Sequence, residues 1–156
     1  MPPMAHFEPR DPNFEERVRA SFHRQKVMHT LGAEITRVEP GRVEIELPYR
    51  EDLTQQHGYL HAGISTTIAD SAGGYAAYTL MPAGASVLAV EFKINLVNPA
   101  RGQRFRAIGQ VSKPGRRLSV SHIEVEAIDG DDVRTCLIGI QTSMCLPGES
   151  DTPQRG

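Results

Sequence analysis

Residues 53–81 read LTQQHGYLHAGISTTIADSAGGYAAYTLM. A polar, glycine-containing loop runs into a stretch that holds no proline from Ala62 to Leu80. Ile64, Ile68, Ala72, Tyr75 and Tyr78 recur at helical spacing, which predicts the longest helix of the chain with one apolar stripe. Most of its other residues are small, and Gly73 and Gly74 stand side by side. A glycine inside a helix costs about 1 kcal/mol against alanine. Close approach of another backbone is the usual compensation, so the helix is expected at the centre of the fold with a sheet around it. Asp70 is the only acidic or basic side chain between His61 and Glu91, and it is the first candidate for chemistry.

Upstream, Asn13 suits an N-cap, and residues 13–31 read as one amphipathic helix. Glu15 and Glu16 sit in its first turn, and Arg24 and Lys26 lie towards its end, where the dipole favours each sign. Phe14, Val18, Phe22 and Val27 are expected to face inward, with Gly32 as the stop. Residues 33–38 and 42–47 read as strands about the turn Glu39-Pro40-Gly41. Val43, Ile45 and Leu47 alternate with charged residues, so one face is buried. Downstream, Pro82-Ala83-Gly84 stops the central helix. Residues 86–97, 104–112, 118–128 and 133–146 then predict four strands, joined by turn sequences that suggest meander connections. Broken alternation at Val120, Ile123 and Val125 suggests a bulge near Ser121 and His122. The order is helix, two strands, long helix, four strands. It predicts an α+β fold in which six antiparallel strands wrap a central helix, or else a sandwich with the helix flat on one face. Residues 13–147 are expected as one domain, 1–12 as a flexible leader rich in proline, and 148–156 as a disordered tail.

The bulk numbers narrow the function classes. With 156 residues the chain can bury a real core. A net charge of −2 and a pI of about 6.3 give no positive field for nucleic acid or a membrane surface. Cys136 and Cys145 form no CxxC pair, which favours a reducing compartment. There is no apolar run of the roughly 18 residues that span a bilayer. Nor is there a signal-like N-terminus, so a cytoplasmic protein is expected.

The segment QQHGYLHAGISTTIAD, residues 55–70, resembles the active-site segment of the hotdog-fold acyl-CoA thioesterases of the phenylacetate-pathway and 4-hydroxybenzoyl-CoA type. That family places a Gln or Asn fifteen positions before a helical acid, as Gln55 stands before Asp70. A His-Gly-Gly-like turn begins its helix nine positions before the acid, as His61 does here. Asn98-Pro99-Ala100 is similar to the family's exit from the next strand. The resemblance covers roughly residues 30–146. Ala62 stands where the family usually has glycine, and it keeps the backbone N–H. Where some members hold a Ser or Thr near the acid, this chain has Ala89 and Gly74, with Ser71 as a substitute. The resemblance implies hydrolysis of an acyl-CoA without a cofactor, by a homodimer with the site at its interface, or a homotetramer of paired dimers.

The residues suit that chemistry by themselves. The helix N-terminus at Ala62 and Gly63 offers unpaired N–H groups and a positive dipole end for an oxyanion. Gln55 can orient the thioester carbonyl or water, and Asp70 can act as base or nucleophile. His61 fits a turn-fixing residue or a catalytic base. Tyr59, Tyr75 and Leu88 are candidates for the acyl pocket. Lys113, Arg116 and Arg117 form either a solvated hairpin tip or a clamp for the nucleotide phosphates of coenzyme A. His57 and His61 are four apart, but Gly58 and the loop setting argue against a metal pair. Ala62 and Asp70 lie roughly 12 Å apart along one helix. If both act on one carbonyl, the site takes parts from two chains. A hotdog enoyl-CoA hydratase or dehydratase using His57 or His61 with Asp70, and a non-catalytic acyl-CoA-binding protein, are the alternatives.

Overall fold

The computed structural model describes residue 3 and residues 5–153. Residues 14–31 do not form one helix. Helices α1 (Phe14–Arg24) and α2 (Lys26–Leu31) are parted by Gln25, whose backbone is extended. The break turns Met28 and Leu31 into the core, whereas Val27 points outward and is 48% exposed, contrary to expectation. Asn13 does not cap α1 with its side chain. Asp11 accepts the N–H of Asn13 on its carboxylate and that of Phe14 on its carbonyl. Gly32 ends α2 in the left-handed region, at φ 71°.

The remaining elements are β1 (Glu34–Glu39), β2 (Arg42–Pro48), a 3-10 turn (Glu51–Leu53), α3 (Ala62–Tyr78), β3 (Ala85–Leu96), β4 (Arg104–Lys113), β5 (Leu118–Asp129) and β6 (Asp132–Pro147). They build one antiparallel sheet in the order β1-β2-β4-β5-β6-β3, curled around α3. This is the hotdog fold. Ile68, Ala69, Ala72, Ala76 and Ala77 on α3 are fully buried against Val43, Ile45, Leu47, Phe105 and Val125 of the sheet.

Two connection details differ from the sequence reading. β3 does not pair with β4, so residues 97–103 are a crossover rather than a hairpin turn. β4 is already paired on one side by β2 and on the other by β5, and β3 is left to the free side of β6. The bulge expected at Ser121 and His122 lies instead in the neighbouring strands. Ser112 of β4 and Cys136 of β6 are the extra residues, while β5 keeps regular alternation. Its inward positions include Ser119 and Ser121. These small polar residues disguise the buried face.

The paired glycines differ in what they allow. A Cβ on Gly73 would run into Gln141 and Ile123, and one on Gly109 of β4 would run into the backbone of Ala72 and Gly73. Strand and helix therefore touch backbone to backbone there, while Gly74 has nothing within 4 Å.

Both ends expected to be loose carry contacts. Phe7 covers Gly41, and Asp11 pairs with Arg17, which donates to the carbonyls of Tyr78, Met81 and Pro82 and so caps the end of α3. At the other end, Arg24 binds Asp151. Residues 1, 2, 4 and 154–156 of the expected leader and tail lie outside the described residues.

Candidate active site

His61 is the N-cap of α3. Its Nδ1 accepts the N–H of Gly63 at 2.9 Å, and its carbonyl accepts that of Ile64. An N–H can only donate, so His61 Nδ1 is the acceptor of this bond. The Gly63 N–H, expected as an oxyanion donor, is engaged by this cap. Ala62, the first helical residue, keeps an N–H with no acceptor inside the helix.

The loop before the helix is closed on itself. Gln55 Oε1 accepts the N–H groups of His57 at 2.6 Å and Tyr59 at 3.3 Å, Thr54 bridges Leu60, and Gly58 turns the tip at φ 80°. Gln55 Nε2 is left as a donor. Gln55, Tyr59 and Ala62 border one cavity of about 420 Å³, together with Leu96, Val97 and Cys136. Burial pushes the Cys136 thiol up to about 11, so it is no thiolate nucleophile near neutral pH.

Asp70 opens on a different cavity of about 430 Å³, which it shares with Ser71, Tyr75 and the start of β3, residues 86–89. Gln141 Nε2 donates to Asp70 Oδ1 at 2.5 Å and to the Asp70 carbonyl at 3.1 Å. Burial raises the Asp70 carboxyl above its ordinary value, and the Gln141 bond opposes that shift without cancelling it. Thr66 and Thr67 bond back to carbonyls of their own helix and do not hold the acid. Nor does Ser71, expected as the substitute partner. Its hydroxyl donates to Gln25 Oε1 at 3.1 Å, Gln25 Nε2 donates to the Tyr75 hydroxyl at 3.1 Å, and that hydroxyl meets Ser21 at 3.0 Å. Burial raises the Tyr75 phenol above its usual range, so it stays protonated.

Gln141 is the site residue that sequence reading missed. It is fully buried on β6, and its Oε1 has no hydrogen-bond partner. The signal was parity: Leu137, Ser143 and Cys145 are also buried, and a glutamine on that inward series is out of place.

Within one chain, then, Gln55, Tyr59 and Ala62 come together, as do Asp70 and Ser71, but the two groups open on separate cavities. Lys113 at the end of β4 and Arg116 and Arg117 on the loop that follows are exposed, border neither cavity, and have no ion-pair partner among the described residues. Among the described residues no His, Cys, Asp and Glu side chains group to hold a metal. The outer edge of β3 is unpaired and apolar, with Leu88 58%, Phe92 44% and Leu96 57% exposed.

Residues 57–134 match the model of the thioesterase superfamily. A thioesterase family protein of Silicibacter pomeroyi, solved by crystallography, is 50% identical, with a TM-score of 0.85 over 86% of this chain and 99% of its own. The proofreading thioesterase EntH of Klebsiella pneumoniae is 29% identical over 120 residues, 77% of this chain and 87% of that protein. The PaaI protein of the E. coli phenylacetic acid degradation operon shares the fold at 20% identity, with a TM-score of 0.77 over 87% of this chain and 95% of its own.

Proposed function

The chain belongs to the thioesterase superfamily, and from that premise we propose that it hydrolyses an acyl-CoA thioester at a site assembled from two copies of itself. One observation carries this reading. The two half-sites sit at opposite ends of the same open strand: residues 86–89 of β3 border the Asp70 cavity, and Leu96 borders the Gln55–Ala62 cavity. An unpaired apolar edge invites a second strand. If β3 pairs antiparallel with β3 of a second copy about a two-fold axis near Phe92, the start of one strand meets the end of the other. Asp70 of one copy then faces Gln55 and Ala62 of its partner, and the symmetric dimer has two such sites.

Each group has a role in that arrangement. Gln141 holds Asp70 Oδ1, which leaves Oδ2 to take a proton from water. The water oxygen attacks the thioester carbonyl carbon, and the Ala62 N–H of the other copy stabilises the oxyanion, with Gln55 Nε2 orienting the carbonyl. Collapse breaks the C–S bond, and the thiolate takes the proton back from Asp70. Direct attack by Asp70 would use the same placement. Lys113, Arg116 and Arg117 bind the nucleotide phosphates. His61 acts through the turn that it fixes. Among the described residues no helix is long and apolar enough to cross a membrane.

Mixing two inactive variants tests the reading. Asp70→Asn and Gln55→Ala are each expected to lower thiol release from an acyl-CoA panel, Asp70→Asn by about 10²-fold or more. In a heterodimer one site carries both lesions and the other is intact. Subunit exchange should therefore restore up to about half of the per-site activity. No recovery after verified exchange would mean sites built within single chains, and full activity of Asp70→Asn would remove the acid from the reaction.

A further inference from the structure

The Asp70 cavity has one wall that neither the helix nor the sheet supplies. Ser150, Asp151, Thr152 and Pro153, which follow the last strand, line it beside Arg24 and Gln25. Three local features put them there. Gly148, at φ 74°, turns the chain away from the direction of β6, and its N–H is anchored on the Gly84 carbonyl at 3.1 Å. Arg24 then grips Asp151 at two points, with Nη2 on Oδ2 at 2.5 Å and Nε on the carbonyl at 3.2 Å. Around Asp151, Ser150 and Thr152 close a small turn, hydroxyl to hydroxyl and Thr152 N–H to Ser150 Oγ. The segment is thus anchored ahead of Ser150 at Gly148 and within itself at Asp151, beside a cavity whose size suits a small-molecule group.

We propose that residues 150–153, clamped by the Arg24–Asp151 pair, form the end wall of the acyl cavity and limit the length of the acyl group that Asp70 can serve. This rests on the thioesterase reading above. The wall faces Ser21, Gln25, Ser71 and Tyr75, whose polar groups already satisfy one another. Arg24, the cation that lines the cavity, is engaged by Asp151, so size is the property that this wall selects. The two clamping side chains are 38% and 24% exposed, so salt screens their attraction. The wall is therefore a yielding one.

The test compares the ratio of kcat/KM for a long and a short straight-chain acyl-CoA in the wild type, in Asp151→Ala, and in a chain ended after Gly148. Each methylene that gains burial is about fourfold in transition-state binding. Opening the wall should raise the long-to-short ratio by about tenfold or more in both variants, and high salt should move the wild type in the same direction. Circular dichroism and oligomeric state check the fold of each variant. An unchanged ratio in folded variants, with the wild type hydrolysing the panel, overturns the wall and leaves the thioesterase reading standing. If no thioester turns over, the same ratio is read from equilibrium binding of non-hydrolysable acyl-CoA thioethers, where a rise supports the wall alone. Absence of both turnover and binding overturns both.

Discussion

Gly109→Ala places a single methyl group where β4 lies directly on the middle of α3. The new Cβ would overlap the Ala72 carbonyl and sit 2.6 Å from the Gly73 nitrogen. The three nearest atoms are all backbone, so no rotamer change can clear them. Ordinary contact starts at 3.4 Å, so relief at Gly73 alone requires strand and helix to part by 3.4 − 2.6 = 0.8 Å. The helix is enclosed by the sheet, and β4 is held on both sides by β2 and β5. Overpacking costs about 1–3 kcal/mol where side chains can adjust. Here they cannot, and a loss of about 3 kcal/mol or more is expected. In a chain of this length each kcal/mol is about 2–4 °C in Tm, so melting should fall by roughly 6 °C or more. Asp70 is two residues from Ala72 on the same helix. A displacement near 1 Å in a catalytic group can cost about 10²-fold in rate. Thermal unfolding and thiol release, measured below the new Tm, read the two effects separately. A variant that melts with the wild type and keeps its rate would show that helix and strand are not in backbone contact.

Two further outcomes follow from side chains. Arg116→Ala and Arg117→Ala should raise KM for acyl-CoA with little change in kcat, because a remote phosphate contact is made equally in ground and transition states. An acyl-pantetheine that lacks the nucleotide should be served equally well by wild type and variants, and equal impairment on it would remove the clamp. Burial raises the Asp70 carboxyl in the folded chain. The folded state therefore holds this proton to higher pH than the unfolded state, and its contribution to stability is lost as pH rises through the folded value. Asp70→Asn should then melt above the wild type at neutral pH, with the gap closing as pH falls towards the ordinary value of 3.8. A gap that is negative, or the same at every pH, would contradict a desolvated acid.

The sequence alone carried the element order and the curled sheet. Hydrophobic spacing on residues 62–80 and alternation at Val43, Ile45 and Leu47 are local consequences of helical and strand geometry. Glycine and proline marked nearly every turn. Asp70 was legible for the same reason, since a lone charge on a small, apolar helix has no local role. Tertiary structure decided what depends on contacts between distant residues. Gln25 breaks the first helix so that Met28 and Leu31 can reach the core, whereas periodicity alone ran straight through it. Gln141 lies 71 positions from Asp70 and meets it only because β6 lies beneath α3. β3 at the sheet's edge, with a cavity at each end, follows from β4 having both its sides filled. No local pattern encodes that, because strand order is settled by competition among all the strands for the same edges.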